Sequence, residues 1–184
     1  ELEKVEKALL YGVNIFGENR VQEAKTKFSE LKKKHPNLKL HLTGPLQRNK
    51  VKQALEIFDV FHTLDRESLL MEFSKHPDKT EKKKFFIQIN TGKEISKSGI
   101  YPEQTKQFIK LCYDYNLKNI IGFMCIPPID EDPSKHFKLI KNISEETGLK
   151  GLSIGMSSDY IHAIKFDPTY IRLGTTLFGD RKWK

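Results

Sequence analysis

Apolar residues along this chain switch between two periods. Leu2, Val5 and Leu9 recur at helical spacing as far as Gly12, a residue type that ends helices, and Val13 to Phe16 then predicts a short strand. Gly17, Glu18 and Asn19 follow. Val21, Ala24, Phe28 and Leu31 next share one helical face, which His35-Pro36 stops. Leu38 to Leu42 predicts a second strand with Thr43-Gly44-Pro45 as its turn, and a helix from about Arg48 to Ile57 follows. Val60 to Thr63 reads as a strand, Arg66 to Ser74 as a helix, and a basic loop comes after it. Phe85 to Ile89 is an apolar run of the kind expected for a strand buried on both faces. It runs into Asn90-Thr91-Gly92 and a long loop through Ser96-Lys97-Ser98-Gly99.

Pro102 suits the first turn of a helix whose stripe is Thr105, Phe108, Cys112 and Tyr115. Asn119 to Phe123 is a strand, Pro127-Pro128 break the chain, and Phe137, Ile140 and Ile143 mark a helix ending at Gly148. Leu152 to Ile154 and Tyr170 to Leu173 are the last two strands, separated by a helix at about Asp159 to Lys165. That gives seven strands, each followed by a helix or the start of one, and such alternation implies a parallel sheet. The choice is between an open doubly wound sheet and a (β/α)₈ barrel, which has eight strands and typically about 250 residues. Seven strands, a helical start and no initiator methionine fit an α/β barrel of the TIM type that lacks its first strand. One domain spanning residues 1–184, truncated at its N-terminus, is the expectation.

Composition narrows the function classes. Of the 184 residues 30% are charged and 38% hydrophobic, and no apolar run of about 18 residues is present, so a soluble globular protein is expected and no transmembrane helix. The opening ELEKVEKALL has no apolar secretory core, so a cytoplasmic location is expected. Cys112 and Cys125 lack metal-type spacing and lie among apolar neighbours, which predicts buried free thiols. The six histidines form no metal motif, so no metal is expected. The net charge of +8 comes from runs such as Lys32-Lys33-Lys34 and Lys82-Lys83-Lys84 with no aromatics between them. They read as solvated edges, and nucleic acid is not an expected partner.

Chemistry concentrates between Gly151 and Gly179. Both strands there run directly into small or hydroxyl residues: Gly155, Ser157 and Ser158 after the first, and Gly174, Thr175 and Thr176 after the second. Glycine lets backbone N–H groups approach an anion and hydroxyls add donors, so two such turns side by side could grip a phosphate monoester. The same residues also serve simply to turn a chain and cap a helix. Arg172 weighs against that bland reading, because a permanent cation in an apolar strand needs a partner. A ligand ring nitrogen or anion is one candidate, and a buried carboxylate is the other. In either sheet architecture function sits at the C-terminal ends of the strands. Glu18, Asn19, Thr43, Asn90, Ser157, Ser158, Gly174 and Thr175 all fall there.

Six motifs in order, FGENRVQEA (16–24), HLTGPLQRNK (41–50), FFIQINTGKEISKSGI (85–100), GFMCIPP (122–128), LSIGMSSD (152–159) and YIRLGTTLFGDR (170–181), resemble the pyridoxal phosphate homeostasis proteins, the YggS/PROSC family. The resemblance implies a barrel like the N-terminal domain of alanine racemase, holding pyridoxal 5'-phosphate (PLP) as a non-catalytic carrier in vitamin B6 homeostasis. It places Ser157, Ser158, Gly174 and Thr175 at the phosphate, Arg172 at the pyridine nitrogen, Asn19 near the ring and Met156 at the pocket wall. Apo PLP-dependent enzymes are the implied partners, and a monomer is expected. The family's covalent lysine belongs to a motif on the first barrel strand, and no lysine in this sequence matches it. Lys50 and Lys97 lie in loops near the strand ends and are the alternative attachment points. Two other functions remain beside this one: a PLP enzyme of the racemase or decarboxylase type (fold type III), and a barrel that binds another phosphorylated metabolite.

Overall fold

Each of the seven apolar runs forms a strand, and the strands pair in chain order, all parallel. The computed structural model describes residues 2–179; Asp180 and Arg181, which end the last motif, lie outside the described residues. The strands are β1 (Ile15–Glu18), β2 (Lys39–Leu42), β3 (Val60–Leu64), β4 (Lys84–Gln88), β5 (Ile120–Met124), β6 (Gly151–Met156) and β7 (Tyr170–Arg172). Between and around them run α1 (Leu2–Leu10), α2 (Val21–Lys34), α3 (Val51–Ile57), α4 (Glu67–Phe73), α5 (Pro77–Thr80), α6 (Thr105–Asp114), α7 (Pro133–Thr147), α8 (Tyr160–Ala163) and α9 (Thr175–Phe178).

The sheet is rolled into a barrel. Strands in a flat sheet lie about 4.8 Å apart, so β2 and β7, five steps apart, would be separated by about 24 Å. Instead the rings of His41 on β2 and Tyr170 on β7 meet edge to face with centroids 4.8 Å apart. Those two side chains can touch only across the interior of a nearly closed cylinder. β1 and β7 are the edges of the sheet, and on the outside Lys4 of α1 donates to the carbonyl of Phe178 in α9 at 2.7 Å.

Two cores of unequal size follow. The larger lies between strands and helices, where outward residues such as Phe16, Leu40, Phe61, Phe85, Phe123 and Leu152 meet Phe28, Ala54, Leu70, Phe108 and Phe137. The smaller lies inside the barrel and consists of Val60, Phe86 and Met124, with Ile121 and Tyr170 packed on it. Most of the apolar burial that stabilises the fold therefore belongs to the outer layer.

Some expectations needed correction. β1 starts at Ile15 because Val13 still belongs to the preceding helix end, its N–H bonding back to the carbonyl of Ala8 at 3.0 Å. The basic loop after α4 contains α5, which Pro77 opens from its first turn. The helix expected from Arg48 begins as a 3₁₀ turn, Arg48–Lys50, before α3. The lysine runs are not wholly solvated. Lys32 reaches across to Asp59 Oδ2 at 2.6 Å and the carbonyl of Ile57 at 2.8 Å. Lys83 is half-buried, and desolvation lowers its pKa. Asp59 also accepts the N–H of Leu40 at 2.8 Å, so it draws α2, β2 and β3 together at the foot of the barrel. The cysteines are as expected: both are free and buried, and burial pushes each thiol up to about 12.

Phe61 stacks on Phe85 at 5.3 Å and meets Phe73 edge to face at 5.2 Å, with 1% of its surface exposed. Phe61→Ala empties the centre of this cluster and should destabilise the fold by about 3–5 kcal/mol. A urea unfolding series would show the midpoint falling with the slope retained, and an unchanged midpoint would contradict this packing.

Candidate functional site

Arg172 is the last residue of β7, and its guanidinium turns into the barrel. Nη1 donates to the carbonyl of Ser153 at 2.7 Å and to Ser153 Oγ at 2.6 Å, while Nη2 donates to the carbonyl of Cys125 at 2.9 Å. Among the described residues it forms no ion pair; the carboxylate of Asp159 acts on it only through space. Desolvation lowers its pKa from the ordinary guanidinium value. Of the two partners left open by the sequence, the buried carboxylate is thus excluded among the described residues. A guanidinium has five N–H donors, and three are used. Nε–H and one Nη2–H remain for something else.

The two strand-end turns do come together. Ser157 Oγ accepts from the N–H of Gly174 at 3.2 Å and the N–H of Thr176 at 3.3 Å. The register of β6 against β7 shifts between Ser153 and Met156, where Gly155 has φ +89. A Cβ at Gly155 would lie 2.6 Å from that of Ala163, so only glycine fits this bend. After it the turn is closed by Asp159, whose Oδ1 accepts from Met156 N at 2.6 Å and whose N–H donates to the carbonyl of Met156 at 3.0 Å. Ser157 and Ser158 are thereby held at the apex. The hydroxyls of Ser158 and Thr175 make no hydrogen bond among the described residues, and Met156 is 36% exposed beside them.

The other strand-end residues divide. Asn19 Oδ1 accepts from Thr43 Oγ1 at 2.9 Å, joining the ends of β1 and β2. The backbone of Asn19 is so close to Gly44 that a Cβ there would sit 2.4 Å from the carbonyl oxygen of Asn19. Glu18, by contrast, pairs with Lys27 of α2 and faces the helix layer. Asn90 is consumed by its own loop: its Nδ2 donates to the carbonyls of Glu94 and Lys97, and its Oδ1 accepts from Glu94 N. Glu18 and Asn90 are structural. A groove of about 410 Å³ lined by Leu2, Gln22, Glu23, Thr26 and Lys27 contains none of the strand-end residues.

Sequence reasoning missed two buried histidines. His62 Nδ1 lies 2.7 Å from Ser153 Oγ, and His62 Nε2 lies 3.0 Å from His41 Nδ1. Both rings pack in the barrel interior, His62 stacked on Phe86 at 4.7 Å. Burial lowers the pKa of His41 to about 4 and holds that of His62 well below the usual value, so both are neutral near pH 7. The available signal was position: each histidine occupies an inward place in a strand that is mostly apolar. Among the described residues no group of His, Cys, Asp and Glu converges in a way that could hold a metal ion.

Comparison with known proteins identifies the family and the fold. Residues 1–182 match the family model described as alanine racemase, N-terminal domain. The chain is 35% identical over 182 residues to the pyridoxal phosphate homeostasis protein of Aquifex aeolicus, covering 94% of this chain and 79% of that protein. It superposes on PipY of Synechococcus elongatus PCC7942, a COG0325 family member, with a TM-score of 0.87 in the form without PLP, at 31% identity. Against the form with PLP bound, the TM-score is 0.82 and the identity 30%; each comparison covers 97% of this chain and 87% of that one.

The neutral histidines make stability depend on pH. Their folded pKa values are depressed, so between about 4 and 6.5 the unfolded chain binds more protons and stability falls as the pH is lowered. His41 alone should lower the unfolding free energy by about 2 kcal/mol between pH 7 and pH 5. Urea midpoints at the two pH values test this: a His41→Gln variant should lose less on acidification than the wild type, and equal losses would sink the assignment.

Proposed function

The chain belongs to the pyridoxal phosphate homeostasis family, built on the alanine racemase N-terminal domain, and on that premise we propose that it binds PLP and serves as a carrier of it. The residues fit the group. Ser157, Ser158, Gly174 and Thr175 hold the phosphate, where two backbone N–H groups already converge on one oxygen. Arg172 faces the pyridine nitrogen with its two unused donors. Asn19 lies near the ring from the ends of β1 and β2, and Met156 forms part of the wall. The whole chain acts as one barrel domain.

The observation that carries this reading is the arginine held by carbonyls and a hydroxyl instead of a carboxylate. When bound, PLP supplies an electron sink whose strength depends on protonation of its ring nitrogen. A fixed positive charge beside that nitrogen disfavours its protonation, so the site favours holding the group over carbanion chemistry. The homeostasis names of the relatives support a role without catalysis. Within residues 1–184, binding rests on the phosphate grip and Arg172. Transfer to apo PLP-dependent enzymes, a monomeric state and a cytoplasmic location complete the proposal.

Titration with PLP, followed by the near-ultraviolet absorbance of the ligand, should show saturable binding. The double variant Ser157→Ala, Thr175→Ala should weaken it by at least about tenfold, as loss of hydrogen bonds to a charged group implies. Borohydride reduction and mass mapping should find no adduct. Saturable binding that the double variant leaves intact would contradict the phosphate assignment, and an adduct on Lys50 or Lys97 would replace non-covalent holding with attachment there.

A further inference from the structure

Arg172 is the end of a hydrogen-bonded chain that crosses the barrel. From Arg172 on β7 it passes to Ser153 Oγ on β6 at 2.6 Å, to His62 on β3 at 2.7 Å, and to His41 on β2 at 3.0 Å. Ser153 and His62 are 0% and 1% exposed, so each must satisfy its hydrogen bonds within the protein, and His41, 4% exposed, ends the chain with an Nε2 that is not sealed from solvent.

Donor and acceptor counting fixes the direction of this chain. Ser153 Oγ has one hydrogen and two lone pairs, and Nη1 of Arg172 occupies one lone pair. A neutral His62 can then be arranged in two ways. In one, its Nδ1 accepts the Ser153 hydrogen and its Nε2–H donates to His41 Nδ1. In the other, both bonds reverse, and Ser153 accepts from two sides while its own hydrogen has no partner in the chain. The unpaired hydrogen of Ser153, 0% exposed, would be sealed from water, whereas the Nε2–H that the first arrangement leaves on His41 is not sealed off, so the first arrangement wins. Every proton then points from the guanidinium towards His41, and bonds aligned in this way polarise and strengthen one another.

We propose that His62, acting through Ser153, is a positioning residue for Arg172. By taking the Ser153 hydrogen it keeps a lone pair of that oxygen turned to Nη1, which fixes the guanidinium and leaves Nε–H and the second Nη2–H for a ring nitrogen. The inference rests on the reading of Arg172 as the partner of the PLP ring nitrogen. It extends that reading to selectivity: the His41–His62–Ser153 chain favours a ligand whose ring offers an acceptor over one that offers C–H.

The test is to measure dissociation constants for PLP and for its analogue with C–H in place of the ring nitrogen, in the wild type and in S153A, H62F and H62N. S153A and H62F should weaken PLP binding by about tenfold while changing the analogue by less than about twofold. H62N should recover most of the PLP affinity, since its amide stands near the place of Nδ1 and can still accept from Ser153. Should H62F fail to fold, S153A, smaller by one oxygen, carries the comparison. Equal weakening of both ligands would mean that the histidine only packs the barrel, and no weakening would mean that Arg172 needs no support; either overturns the proposal. A wild-type chain that binds neither ligand overturns the reading beneath it, and the positioning role with it.

Discussion

A guanidinium placed inside a parallel barrel, with no carboxylate paired to it among the described residues, constrains the groups around it. Removing a cation from water is costly unless hydrogen bonds replace its hydration. Here they come from the carbonyls of Ser153 and Cys125 and the hydroxyl of Ser153. Those groups can turn to Arg172 only because β5, β6 and β7 are adjacent and the β6–β7 register shifts at Gly155. Ser153 in turn needs an acceptor, which brings in His62 and then His41. One charge on the last strand thus dictates polar residues on β6, β3 and β2, in positions where a barrel interior would otherwise be filled with branched apolar side chains.

This division explains why the two cores differ so much. The outer layer carries the aromatic cluster of Phe58, Phe61, Phe73 and Phe85 and most of the buried leucines and isoleucines, so folding does not depend on a dry barrel centre. The interior keeps a small apolar floor of Val60, Phe86 and Met124, against which the imidazoles and Tyr170 lie. Tyr170 is the hinge between the two demands. Its ring packs on His41 and Phe86, and two residues later the same strand delivers Arg172.

Much of the fold was legible in the sequence because period and punctuation agreed. Most strands ended in a polar or glycine-containing turn, and the longer helices each carried an apolar stripe, so the alternating architecture followed. What stayed hidden was the direction of individual side chains. Glu18 and Asn90 stand at strand ends like the binding residues, but the outward half of a strand's alternation sends Glu18 to Lys27, and a tight loop consumes Asn90. His41 and His62 could not be told from ordinary core histidines, since their partner Ser153 lies 91 residues beyond His62 in the chain. Asp59 and Lys32 were obscured for the same reason: lysine runs on a helix end usually stay in water, and only the closing of the barrel brings a carboxylate to one of them.

β7, which carries Arg172, is short and thinly covered among the described residues. It has three residues, its side chains are partly exposed, and among the described residues β6 is its hydrogen-bonded neighbour. It is held from inside by Tyr170 and Arg172 and followed by a turn whose amides of Gly174 and Thr176 meet Ser157. An anion that bridged those amides and the turn after β6 would tie the edge strand to its neighbour at both ends. Because such a ligand binds only the folded arrangement, its affinity adds directly to folding stability. The order of β7 would then respond to a bound phosphate.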